Sequence, residues 1–222
     1  MGDSLVGVVF STPVQGANLE TERPSFLVTY DREGEVQVNP LLTGPGSELM
    51  ARRTSTGGLR ITPRPFGRES LFRRGPDSFV YSAWTGEFRI RRHHPRSGTS
   101  ESIIEQEFKP SPVTEAQFDS VRNSYPNPDF LESFDTTFHT HWPALEQFLV
   151  DDQNRIWVHF RAGDGQYRNL WAFEHDGSIV NIIDHNVTGS VALVRNGKIH
   201  TLHMDGDRRP VIRRYAIVEG LN

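Results

Sequence analysis

Between Leu149 and Ile183 the chain alternates short apolar runs with polar turns, a pattern that predicts two β-hairpins in tandem. One strand reaches Asp151, Gln153 and Asn154 turn the chain, and a second strand runs from Ile156 to Phe160. After the Gly- and Asp-rich loop from Ala162 to Tyr167, a third strand, Asn169 to Phe173, turns at Asp176 and Gly177 into a fourth, Ile179 to Ile183. Strands joined in this way form a meander sheet. In the second strand Ile156, Val158 and Phe160 face one way and Trp157, His159 and Arg161 the other. A mid-strand Trp is expected to pack between sheets with its indole N–H satisfied at the rim.

The unit recurs. Arg155-Ile156-Trp157-Val158 aligns with Lys198-Ile199-His200-Thr201 at a shift of 43 residues, and Trp171 aligns with Tyr215 at a shift of 44. Set back on Ser78, Arg155 gives a spacing of 77, which becomes 42 once the polar segment 109–143, 35 residues long, is set aside. A period in the forties with four strands per unit is that of a β-propeller blade. The expected fold class is therefore all-β: an incomplete or partial β-propeller of four-stranded antiparallel blades with a short helical insertion. The expected organisation is one domain over residues 1–222, with blade units at about 1–43, 68–108, 144–184 and 188–220, and with 109–143 inserted between them.

Taken in order, Leu5 to Phe10 reads as a strand and Ser11 to Pro24 as a polar loop. Phe26 to Tyr30 and Val36 to Leu41 make a hairpin around Asp31-Arg32-Glu33-Gly34, a blade short of its first strand. Gly44 to Gly58, rich in Gly, Ser and Thr and carrying Arg52 and Arg53, reads as an inter-blade loop. The second unit runs through Leu71 to Arg74, Phe79 to Ala83, Phe88 to Arg92 and Ser102 to Glu107. There Phe88 and Ile90 alternate with Arg89 and Arg91, so one face is packed and the other basic. Arg91, Arg92, His93 and His94 are a candidate anion site, because guanidinium groups offer fixed donors to phosphate or carboxylate. The alternative is that they pair with Glu101 and Glu105 on the adjoining strand. The last unit comprises Val191 to Val194, the Asn196-Gly197 turn, Ile199 to Met204 and Val211 to Val218, with no fourth strand.

Between residues 109 and 143 the period changes. Thr114 with Gln117 predicts a capping box, followed by the stripe Phe118, Val121 and Tyr125. Asn127, Pro128 and Asp129 predict a second helix start, with Phe130 and Phe134 one turn apart. His139 and His141 would share a strand face, but two imidazoles do not complete a metal site, and neither a metal nor a cofactor is expected.

Composition adds few limits. The formal charge of -4 in 222 residues argues against a dedicated nucleic-acid surface. No Cys is present, which excludes a disulfide framework and a thiolate nucleophile. No apolar run is long enough for a membrane span. The start MGDSLVGVVF lacks a basic n-region and a long apolar h-region and is not expected to be a signal peptide. Asn186-Val187-Thr188 matches the glycosylation sequon, which has meaning only in a secretory context.

From about Phe66 to Val218 the chain resembles the C-terminal half of bacterial six-bladed β-propeller proteins related in layout to the NHL type. The resemblance rests on the stretch Asp151 to Val158, the segment Trp171 to Gly177, the insertion introduced by Pro112-Val113-Thr114 and the closing Arg214-Tyr215-Ala216-Ile217-Val218. It implies export to the cell exterior or periplasm, and it implies no particular activity. It also implies more blades than the roughly three and a half present. The apolar end strands, Leu5 to Phe10 and Val211 to Val218, would then meet in a small, imperfect ring, or pair with another copy, or pair with missing blades of a longer chain.

No nucleophile elbow, zinc-protease helix, Walker loop or dinucleotide turn occurs. Two function classes follow. One is a non-catalytic binding or interaction module; the other is a propeller hydrolase or lyase acting on a carbohydrate or lactone, whose catalytic residues the sequence does not identify. Convergence of several ionisable side chains in one concavity would favour the enzyme. The candidate ligand-binding positions are Arg91, His93, Asp164, His185 and Asp207, the last three beside strand ends.

Overall fold

A computed structural model of the chain describes residues 6–11, 24–31, 33–53, 56–125, 131, 138–161, 168–184 and 190–217. One turn geometry recurs in it. At Asp31, Gly75, Asp151, Glu174 and Asp205 the residue's N–H donates to the carbonyl four positions on, and its carbonyl accepts the N–H three positions on. The residue three positions on is left-handed each time: Gly34 at φ 85°, Ser78 at 70°, Asn154 at 64°, Gly177 at 86° and Arg208 at 60°. Where the first residue is Asp31, Asp151 or Asp205, its Oδ1 also accepts the backbone N–H groups two and four positions on. A short carboxylate thus fixes the turn, and the turn fixes the strand register.

The strands so joined form antiparallel sheets of neighbours in sequence. The first sheet contains β1 (Val6–Ser11), β2 (Pro24–Tyr30) and β3 (Val36–Pro45). A two-stranded sheet follows, β4 (Leu49–Arg53) with β5 (Leu59–Pro63). Four strands make the next, β6 (Ser70–Arg74), β7 (Val80–Trp84), β8 (Arg89–His93) and β9 (Ser100–Glu105). Another four are β10 (Gln147–Val150), β11 (Ile156–Arg161), β12 (Arg168–Phe173) and β13 (Ile179–Asp184). The last sheet has three, β14 (Ser190–Arg195), β15 (Lys198–Met204) and β16 (Pro210–Ala216).

The described residues are a partial β-propeller. First strands of successive blades lie side by side: Arg73 Nε of β6 donates to the Phe148 carbonyl of β10 at 3.1 Å, and Gln147 Nε2 of β10 donates to the Val191 carbonyl of β14 at 2.7 Å. Equivalent turns also meet. The Asp77 N–H donates to Asn154 Oδ1 at 3.2 Å, and the Asn196 N–H donates to Asp152 Oδ2 at 3.1 Å. The 43-residue shift therefore superposes second strand on second strand.

Between blades the sheets pack face to face. Ile156, Val158 and Phe160 of β11 join Leu71, Tyr81, Ala83, Ile90 and Ile104 in one core, with Phe88 and Trp171 set edge to face on Phe160. Trp157, on the other face of β11, joins Leu170, Ala172, Val191, Val194 and Ile199 in a second core. Its indole N–H donates to Asp151 Oδ2 at 2.9 Å, which meets the expectation for a mid-strand Trp. The central strand is thus buried on both sides. By contrast, the last sheet covers only one face: Leu193, Leu202, Met204 and Ile212 are exposed.

Two readings of the sequence need correction. The stretch from Gly44 to Gly58, read as a loop, carries the end of β3 and all of β4. Met50 is buried there against Leu131, Val121, Tyr125 and Phe138, so its cover comes from the insertion and not from nearby sequence. The strand read at Ser102 to Glu107 lies at Ser100–Glu105, because a bulge opposite Ile90 and Arg91 shifts the pairing. Within the insertion, α1 (Glu115–Asn123) has the capping box: Gln117 N–H donates to Thr114 Oγ1 at 3.3 Å, and Thr114 N–H donates to Gln117 Oε1 at 3.0 Å. The second helix start, at Asn127, lies outside the described residues.

Candidate functional site

The odd residues of β8, Arg89, Arg91 and His93, project from the face opposite the Ile90 core. Ser82 and Trp84 of β7 and Ser70 and Phe72 of β6 share that face, and Leu42 to Pro45 of β3 stand across from them. Together they enclose a cleft of about 240 Å³ between two blades. Its width is set at two points of close approach. A Cβ on Gly44 would lie 2.9 Å from Ser70 Oγ, and one on Gly98, at φ 67°, would lie 3.0 Å from the Leu41 carbonyl. Glycine at both positions lets β3 seat against this sheet.

Arg89 is neutralised by Glu105 at 2.5 Å and Glu87 at 3.2 Å. Arg92 points the other way, with Nε 2.8 Å from Glu101 Oε1 and its guanidinium 4.8 Å from the Phe79 ring centre. The pairing with Glu101 and Glu105 allowed by the sequence thus claims Arg92 and Arg89. Arg91 is different: among the described residues it has no ion pair and no hydrogen bond, and its guanidinium is exposed at the cleft. It stands in register with Ser82 on one side and Ser102 on the other, so neither neighbouring strand offers it a carboxylate.

His93 closes one end of the cleft, 6% exposed. Its Nε2 is 2.7 Å from Ser82 Oγ, while Nδ1 is buried without a hydrogen-bond partner among the described residues. Burial lowers its pKa below the usual 6.5, and the Arg91 charge lowers it further against a smaller upward pull from the Gly98 backbone. Hence the imidazole is neutral at physiological pH. In the unfolded chain it takes up a proton as pH falls through 6.5, whereas the folded chain resists until a lower pH, so stability is lost in that window. The urea midpoint of wild type should fall as pH drops below 6.5, and a His93→Gln variant should show a flatter profile over the same range. Parallel profiles would remove His93 as the source.

Asp207, the third candidate that the structure describes, is exposed in the β15–β16 turn, pairs with Arg209 and does not line the cleft. Asp164 and His185 lie outside the described residues. His139 and His141 part company: His139 Nε2 is 2.5 Å from Glu48 Oε2, and His141 Nδ1 is 3.0 Å from Thr140 Oγ1. Ser82 escaped the reading of the sequence, although strand alternation and the Thr85-Gly86 turn place it on the face of Arg91 and His93. A second concavity of about 240 Å³ lies beside Trp142. Arg161 near it is already occupied, stacked 3.8 Å from the Trp142 ring centre and bonded to Glu146 at 2.6 Å.

No protein-family model matches the chain, and no curated protein matches it. Among solved structures it is similar to puromycin hydrolase, at 12% identity and a TM-score of 0.42 over 87% of this chain. It spans 24% of the length of that protein. It is also similar to virginiamycin B lyase from Staphylococcus aureus, at 12% identity and a TM-score of 0.27, over 96% of this chain and 89% of that one. Among the described residues no helix is long and apolar enough to cross a membrane.

Proposed function

We propose that the chain is a ligand-binding module of propeller type that takes a small carboxylate in the cleft between β3 and the β6–β8 face. The observation that carries this reading is the unpaired Arg91, aimed into a concavity whose other arginine is already neutralised. A guanidinium binds a carboxylate through two parallel N–H donors, so a free one beside a formed cavity favours a planar anion. Phe72, Trp84 and Pro45 offer apolar surface to the rest of the ligand. The NHL-like, six-bladed affiliation belongs to the same reading, supported by the motifs around Asp151 and Trp171. The hydrolase alternative has one observation of its own, the contact of Ser82 with His93 in this cleft.

Calorimetric titration with benzoate and with its uncharged isostere benzamide tests the binding reading. Benzoate should bind about tenfold or more tightly than benzamide, the range of a charge-assisted hydrogen bond. Arg91→Ala should erase the difference. Equal affinities in wild type, or a preference that survives in Arg91→Ala, would contradict it.

A further inference from the structure

Among the described residues of the cleft, Ser82 Oγ is the one hydroxyl within hydrogen-bond distance of an imidazole, 2.7 Å from His93 Nε2. Serine is a weak nucleophile until a neighbouring base takes its proton, and a neutral histidine is that base. Burial beside Arg91 holds His93 neutral. Nδ1 is buried, and among the described residues no carboxylate accepts a hydrogen bond from it. In the tautomer protonated on Nδ1, Nε2 accepts the Ser82 O–H. On the same face, Arg91 is in register with Ser82 and has no ion pair among the described residues. Nucleophile, base and cation therefore face one cavity of about 240 Å³.

We infer that Ser82 is an acyl-accepting nucleophile, with His93 as its base, for small aryl or alkyl esters that carry a carboxylate for Arg91 to hold. This deepens the proposal of a carboxylate site and rests on it. The Ser82 oxygen forms a bond to the acyl carbon as the ester C–O bond breaks, and its proton passes to His93 Nε2. The leaving alcohol or phenol departs with that proton or one from water, and water later releases the acyl group as an acid. Among the described residues no carboxylate orients His93 from behind, so deacylation is slow and the acyl-protein accumulates.

Incubation with 4-acetoxy-3-nitrobenzoate, an anionic chromogenic ester, tests this against the neutral 2-nitrophenyl acetate. Released nitrophenolate is followed by absorbance, and peptide mass spectrometry locates the acetyl group. Wild type should carry acetyl on Ser82 in near-stoichiometric yield, faster from the anionic ester. Ser82→Ala should lose that label, and a circular dichroism spectrum that matches wild type shows that it folds. His93→Gln should slow acetylation by about 10²-fold or more, the span of general-base assistance. Arg91→Ala should slow the anionic ester alone. If benzoate binds through Arg91 but Ser82 stays unmodified, the nucleophile inference is overturned and the binding reading stands. If Ser82 reacts equally with both esters, recognition by Arg91 is overturned. Acetyl found only on lysines or the N-terminus, with the Ser82 peptide unmodified, also overturns it.

Discussion

Replacing Asp151 by Ala is expected to destabilise the protein by about 3–5 kcal/mol, the range for stripping one partner from a buried ion pair. The carboxylate is fully buried and receives four donors: the N–H groups of Gln153 and Arg155 on Oδ1, and Arg155 Nε and Trp157 Nε1 on Oδ2. Truncation leaves a half-buried guanidinium and a buried indole N–H without the acceptor they share, and it frees the turn that holds β10 against β11. Asp151→Asn, which keeps one carbonyl oxygen, should cost less. Urea denaturation of the two variants checks the order. If Ala and Asn cost the same, or both cost under about 1 kcal/mol, the carboxylate does not organise this turn.

Phe160→Ala should cost about 3–5 kcal/mol, as expected for a large aromatic removed from a core that cannot collapse. Phe160 is fully buried, and its ring meets Phe88 at 5.3 Å, Phe108 at 5.2 Å and Trp171 at 4.9 Å between centroids. It joins the β6–β9 sheet to the β10–β13 sheet, so its loss opens a cavity between blades and not within one. An exposed residue such as Ile212 should change stability little on the same substitution. A Phe160→Ala variant as stable as Ile212→Ala would mean that the two blades are not joined through this face.

Much of the fold was legible because its determinants are local. The alternation of β11, the Asp151 turn and the Thr114–Gln117 box each lie within a few residues, and the structure forms all three. The strand β4 was missed because its apolar residues are few and their cover is distant: Met50 is buried against Leu131, far along the chain. The candidate site divides the same way. Arg91 and His93 were legible as basic groups on one strand, and Ser82 could have been added from the hairpin register alone. The opposite wall, Leu42 to Pro45 on β3, depends on how two blades seat together, which no spacing in the sequence encodes. Arg92, which the sequence placed with Arg91, turned out to be held by Glu101 because alternation puts it on the other face.

The place of the ligand decides whether the cleft is a binding site at all. Crystals of the chain soaked in 4-bromobenzoate give an anomalous bromine signal that fixes the position and direction of the ligand. It should lie between β3 and β8, with the carboxylate within hydrogen-bond distance of the Arg91 guanidinium and the ring on the Phe72 and Trp84 side of the cleft. Bromine found beside Trp142 and Arg161, or no ordered bromine in the cleft at a concentration that saturates binding in solution, would contradict the assignment.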